Sequence, residues 1–164
     1  MIQPDIRMGS EQADVDERRG TVVVTSMSSD SHTWNLVFLQ LLIEELGYDV
    51  VNLGPCVPDD VLVDRCMAVA PSMVVISSVN GHGHQDGLRV IDKVRACQQL
   101  VTTPVVIGGK LSVSDQHTAA RIEQLMAAGF DAVFDDSGRG ISDFLTFVGS
   151  ISAIDTGAVV EVSA

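Results

Sequence analysis

The run TVVVTS (residues 21–26) leads directly into MSSDSHTWN (27–35). The first piece is β-branched with no polar alternation, the pattern of a strand covered on both faces. The second crowds small hydroxyl, acid and amide side chains around His32 and the chain's single tryptophan, Trp34. An amphipathic stretch over 33–46 follows, so the whole predicts a strand, a polar loop and a helix. The same order recurs along the chain. Strand-like runs fall at 48–53 (YDVVNL), 72–77 (SMVVIS), 103–108 (TPVVIG) and 131–134 (DAVF), with helical stretches at 58–70, 86–100, 115–128 and 140–150. Pro58-Asp59-Asp60 opens one helix, while ELGYD and AAGFD each stop one at a glycine before the next strand. Strands without a polar face, each followed by a helix, predict an α/β fold. It should be a single doubly wound domain of flavodoxin-like (Rossmann-like) build, with a five-stranded parallel sheet in the order 2-1-3-4-5.

The chain's 164 residues suit one such domain. Residues 1–20 carry no periodic apolar pattern and are expected to be a disordered leader; 21–150 form the domain, and 151–164 a mildly apolar C-terminal tail. Hydrophobic residues make up 46% but aromatics only 4%, so the core must be aliphatic; Met67 and Met126 fall on apolar helix faces and are expected within it. A net charge of −12 argues against a nucleic-acid partner, because phosphate binding needs a basic face. No apolar run reaches the ~20 residues of a bilayer span, and the polar, acidic start lacks the apolar centre of a secretory signal. A soluble, cytoplasmic protein without a membrane partner is expected. Cys56, Cys66 and Cys97 are widely spaced and odd in number, with no CxxC. That suits reduced, packed thiols better than a disulfide frame or a zinc site.

Open parallel sheets bind ligands beyond the carboxyl ends of their strands, where the winding reverses, here between strands one and three. The loops placed near that point are MSSDSHT, SSVNGHGHQDG (77–87) and GGKLSVSD (108–115). The most polar and most glycine- and histidine-rich segments therefore share one sheet edge. Gly81, Gly83, Gly108 and Gly109 remove side chains where backbone would meet a ligand, and Ser77 ends a buried strand with a small hydroxyl. Together they describe a slot for something long and planar. His32 can offer one ring nitrogen to a metal while Asp30, two residues earlier, takes the proton on the other and fixes the tautomer. A lone Asp-x-His is more often a loop histidine beside a helix-capping aspartate; its place at the sheet edge favours ligation here. The acids and lysine of a phosphoacceptor receiver are missing from the strand ends, as are the ring-stacking aromatics of a flavodoxin, a Walker loop and a GxGxxG. His82, His84 and Asp86 invite a second metal site, but the plainer reading is a loop that touches the ligand or a partner. Lys110 is as readily a solvated lysine as a ligand contact.

The phrases SDSHTWN, ISSVNGHG and VVIGGKLSV, in that order, resemble the cobalamin-binding domain family, whose signature is DxHxxG…SxL…GG. The likeness is greatest to the small, stand-alone subunit type of glutamate (methylaspartate) mutase. It covers about residues 21–148 and includes GYDVVNLG, GGKLSVSDQH and AAGFDAVFDD. The resemblance implies adenosylcobalamin as cofactor, its dimethylbenzimidazole base displaced from cobalt and its nucleotide tail in a slot between strands one and three. Carried onto matching positions, His32 is the cobalt ligand and Asp30 its hydrogen-bonded partner. Ser77 would meet the buried base, Gly108 and Gly109 would line the tail, and Ser31, Thr33, Asn35, Val79 and Gly81 complete the cofactor-binding set. Two positions depart from the motif: Asn35, beside Trp34, replaces its last glycine, and Val79 its leucine. Asn35 leaves open normal binding with local adjustment, weaker binding, or loss of the cofactor, of which the first is expected. The resemblance also implies no catalytic residue in this chain alone. A larger TIM-barrel catalytic subunit would bind a small amino-acid substrate such as glutamate, making the pair a radical carbon-skeleton mutase, an isomerase. The rivals are a corrinoid carrier for methyl transfer, for which the leader is too short to hold the usual helical cap, and a cobalamin sensor, for which no DNA-binding region is present.

Overall fold

The computed structural model describes residues 18–114 and 116–155, with backbone alone for 152–155. In chain order the elements are β1 (Thr21–Ser26), α1 (Trp34–Glu45), β2 (Asp49–Asn52), α2 (Asp59–Val69), β3 (Met73–Ser78), α3 (Gly83–Ala96), β4 (Val105–Gly109), α4 (Thr118–Ala128), β5 (Ala132–Asp135) and α5 (Gly140–Asp155). One 3-10 turn, Gln98–Leu100, joins α3 to β4. All neighbouring strands are parallel and the order is β2-β1-β3-β4-β5, the doubly wound fold expected. The register sets Ser26 beside Ser77, Ser77 beside Gly108 and Gly109 beside Asp135, so β1, β3, β4 and β5 finish along one edge.

Both faces of the sheet are covered, which is why the strands lack polar alternation. On one face Val23, Val74, Ile76, Val105 and Ile107 pack with Leu62 and Cys66 of α2, Val90, Ile91 and Val94 of α3 and Leu125 of α4. On the other, Val22, Val24, Val75 and Val106 meet Leu36 and Ile43 of α1 and Phe144 and Val148 of α5. Phe134 on β5 meets Phe144 and Phe147 edge-on, with ring centres 5.6 and 5.9 Å apart, fastening α5 to the sheet.

Several expectations shift. Helix α3 begins at Gly83, three residues before the predicted start, so the loop after β3 shrinks to 79–82. A Cβ on Gly83 would lie 2.7 Å from Ser78 Oγ and 3.0 Å from Leu111 Cα; one on Gly87 would lie 2.9 Å from Ile107 Cδ1. These glycines let α3 lie close against the sheet, and Gly83 does not clear space for a ligand. Met67 and Met126 are 40% and 43% exposed rather than core, because their neighbours Cys66 and Leu125 take the inward positions. Helix α5 carries on through 151–155, the start of the expected tail. Residues 18–20, assigned to the leader, belong to the domain: Arg19 N–H donates to Gly47 O at 2.9 Å and Asp49 N–H to Gly20 O at 2.9 Å. The remainder of both expected terminal segments, 1–17 and 156–164, lies outside the described residues. Among the described residues no helix is long and apolar enough to cross a membrane.

Candidate functional site

The loop from β1 to α1 is pinned by its backbone before any ligand is considered. Asp30 N–H donates to Met27 O (3.0 Å), and Asp30 O accepts from Ser26 Oγ and from Cys56 N–H (both 2.9 Å). This turns the Asp30 side chain inward, where it is fully buried. Its Oδ2 accepts the N–H groups of Val79 (2.6 Å) and Asn80 (3.2 Å) beyond the end of β3. Its Oδ1 accepts His32 N–H (3.1 Å) and lies 2.7 Å from His32 Nδ1. Burial pushes the carboxyl pKa upward, but the hydrogen bonds from Val79, the His32 ring, His32 N–H and Asn80 outweigh it, and Asp30 stays below its ordinary value. An ionised carboxylate only accepts, so Nδ1 carries a ring proton, and in the neutral imidazole the lone pair is on Nε2. With 53% of the His32 side chain exposed, Nε2 could hold a metal.

Beside this pair lies a cavity of about 320 Å³. Asn35 and Phe38 of α1 form one wall, Phe134 of β5 and Ile141 and Phe144 of α5 the other, and Ser77, Val79, Gly108 and Gly109 the floor. The slot was expected between strands one and three; the cavity instead lies over the ends of β3 and β4, and no residue of β1 lines it. The reason is local: α1 packs over β1 and β2, while Gly108 and Gly109 leave the end of β4 without side chains. Gly109 is also required by the backbone, with φ +95° and a notional Cβ only 2.1 Å from Ser78 O. The volume suits a small organic group.

The expected residues therefore form two linked clusters. Asp30, His32 and the Val79 N–H make one; Asn35, Ser77, Val79, Gly108 and Gly109 border the cavity. Ser31 and Thr33 are exposed on the loop, Thr33 serving as the N-cap of α1 without a side-chain cap. Gly81 is a turn glycine (φ +84°) against Val113 and does not line the cavity. Asn35 Nδ2 donates to Ser77 Oγ, while Asn35 Oδ1 is buried with no partner. His82, His84 and Asp86 do not converge. His82 caps α3, His84 Nε2 sits 2.7 Å from Gln124 Oε1, and Asp86 is taken by Arg89 and Ser29. Among the described residues no group of three or more His, Cys, Asp or Glu can hold a metal. One imidazole next to an apolar cavity fits a metal whose remaining positions come from a cofactor's own ring. Sequence reasoning missed Asn80, Ser29 and Arg89; only the Asp86/Arg89 spacing of three on α3 hinted at them.

Residues 20–140 match the B12 binding domain family. Glutamate mutase sigma subunit 2 from Haloarcula marismortui is 30% identical over 115 residues, covering 70% of this chain and 76% of that protein. Among solved structures, a cobalamin-binding protein from Desulfitobacterium hafniense aligns with a TM-score of 0.65 at 21% identity, covering 82% of this chain and 60% of that one. The methanol:cobalamin methyltransferase complex from Methanosarcina barkeri also gives 0.65, at 20% identity, covering 87% and 50%. The two structures establish a shared fold. With a family match over most of its length, on the sheet edge that carries the Asp30–His32 pair, the chain belongs to the B12-binding domain family.

Proposed function

We propose that this chain is the cobalamin-binding subunit of an adenosylcobalamin-dependent carbon-skeleton mutase of the glutamate mutase type. His32 Nε2 would bind the cobalt, with Asp30 holding the ring in its tautomer and bearing through the 2.7 Å contact to Nδ1. Ser77 and Asn35 on one side of the cavity between α1 and α5, and Phe134 and Phe144 on the other, would hold the cofactor's nucleotide base and exclude water. The chemistry that the bound cofactor supplies is a radical-initiated 1,2-rearrangement. This chain's residues bind, orient and shield, and none acts on substrate. A separate, larger TIM-barrel subunit, of ~250 residues in its usual form, binds a small amino acid and closes the chamber. Relatives named as glutamate mutase sigma subunits support this partner and substrate class. The runner-up, a corrinoid carrier for methyl transfer, rests on likeness of fold at 20% identity.

The observation that carries the proposal is the buried Asp30 carboxylate clasping Nδ1 of a half-exposed His32. The test is reconstitution with adenosylcobalamin, reduction to Co(II) and paramagnetic resonance. Nitrogen superhyperfine splitting that changes on 15N-histidine labelling and disappears in His32→Ala is expected. A bound cofactor that keeps its own base on cobalt would overturn the proposal.

A further inference from the structure

On the far side of the His32 loop from the cavity, two acids are buried although both stand in the first turn of a helix. Asp59 of α2 is 7% exposed and Asp86 of α3 is 8% exposed. Carboxylates leave water at a high cost unless they are paired. The pairing group is Arg89 on α3. Its Nε and Nη2 fork onto Asp59 (2.7 and 3.2 Å), and its Nη1 reaches Asp86 Oδ1 (2.6 Å). Two helices are thereby tied together, and the bonds could have ended there.

They do not end there. Arg89 Nη2 also donates to Ser28 Oγ (3.1 Å), and the second oxygen of Asp86 accepts the Ser29 hydroxyl. Asn80 Nδ2 donates to Ser29 O (2.9 Å) and Ser29 Oγ (3.0 Å), while Asn80 N–H caps the Asp30 carboxylate. A continuous hydrogen-bonded path therefore runs from Arg89 through Asp86 and Ser29 to Asn80, Asp30 and His32. Ser28 and Ser29 are exposed loop residues, and among the described residues their hydroxyls have no partners outside this set. The acids do not depend on them, because the Arg89 guanidinium already pairs with both carboxylates. The serines gain more from the contact: without Arg89 and Asp86 the outer half of the loop keeps only its backbone bonds and the Asn80 amide on Ser29.

We propose that Arg89 is a positioning residue for cobalt ligation, fixing the His32 loop from outside through Asp86, Ser28 and Ser29. It never touches the cofactor. This inference rests on His32 being the ligand, as proposed above; if it is not, the loop is still held in the same way.

The test uses the full chain and three variants. Ser28→Ala/Ser29→Ala removes the loop contacts and leaves the Arg89–Asp59–Asp86 tie intact; Ser29→Thr retains a hydroxyl; Arg89→Met removes the anchor. Without cobalamin, amide hydrogen exchange at residues 31–33 reports loop order directly. It should quicken about tenfold in the double serine variant and in Arg89→Met, with the thermal midpoint of the serine variant unchanged and Ser29→Thr close to wild type. With cobalamin, visible titration should show affinity falling about tenfold in the same variants while the nitrogen splitting persists. Unchanged exchange and affinity in the double serine variant would make Arg89 merely a tie between α2 and α3 and overturn the inference. So would an undisturbed loop in Arg89→Met. A wild-type protein that binds no cobalamin would instead sink the proposed function, and the exchange result would still decide the loop.

Discussion

At position 30, two oxygens meet four hydrogen-bonding groups: the N–H of Val79, Asn80 and His32, and the His32 ring. Asp30→Asn exchanges one of those oxygens for a donor, which must then oppose either the imidazole N–H or the two N–H groups beyond β3. The variant should fold but lose about 1–3 kcal/mol, read as a lower urea midpoint, because a buried donor is left facing donors. Cobalamin affinity should fall by about 10–100-fold by visible titration, because the ring is no longer fixed through its second nitrogen. Asn35 calls for the opposite change. Its Oδ1 is buried without a partner, and its amide occupies Ser77 at the edge of the cavity. Asn35→Gly removes both constraints, so cobalamin should bind about fivefold more tightly, equivalent to ~1 kcal/mol. Equal or weaker titration would show that Asn35 assists the ligand instead. The shared place of Asp30, His32 and Ser77 at one sheet edge was legible because side-chain chemistry at a strand end leaves a mark in the sequence. The clasp on Asp30 was not, since the donors are backbone N–H groups that any residue at 79 and 80 would supply.

Helices and strands were legible in proportion to how far their packing agreed with local preference. The runs that became β1 and β3 are buried almost throughout, and their unbroken β-branched pattern placed them within one residue of the observed limits. The start of α3 was misplaced because glycine and histidine over 81–84 read as loop. Tertiary contact overrides that preference: Gly83 and Gly87 are the residues that let the helix touch the sheet. Gly83→Ala should therefore cost about 1–3 kcal/mol of unfolding free energy by urea titration, despite alanine's better helix propensity, because its Cβ has nowhere to go. A stabilised variant would mean that Ser78 and Leu111 yield, and that the glycine marks flexibility instead. On α1 the stretch over 33–46 marked the helix but not which of its faces turns inward. Leu36 and Ile43 face the core, yet Trp34, Val37, Phe38 and Leu41 are exposed, so apolar residues stand on both sides and no stripe announces the inner one.

For the molecule as a whole, strand order was legible because strand–helix alternation and right-handed crossovers admit few windings. The cavity's position was not. It depends on where α5 settles against Phe134, and the pairing of Phe134 with Phe144 and Phe147 joins residues that no local pattern links. The packed core has a further consequence, for alkaline stability. Cys66 is fully buried between α2 and the sheet, and burial, with Cys97 nearby, raises its pKa from 9.0 to about 11. The folded state therefore keeps its proton while the unfolded chain begins to lose it above the ordinary value. A raised folded pKa contributes its full stability below the unfolded pKa, and that contribution is lost as pH rises through the folded one. Stability should accordingly decline between the ordinary and the raised value. The check is the urea midpoint at about pH 8 and about pH 10.5, in wild type and in Cys66→Ala. The alanine variant begins weaker, because removing the sulfur leaves a void, but it should lose less on going to the higher pH. Ionisable groups remote from Cys66 are common to both proteins and cancel in the comparison. Equal losses would mean that the core opens enough to ionise Cys66 before it unfolds.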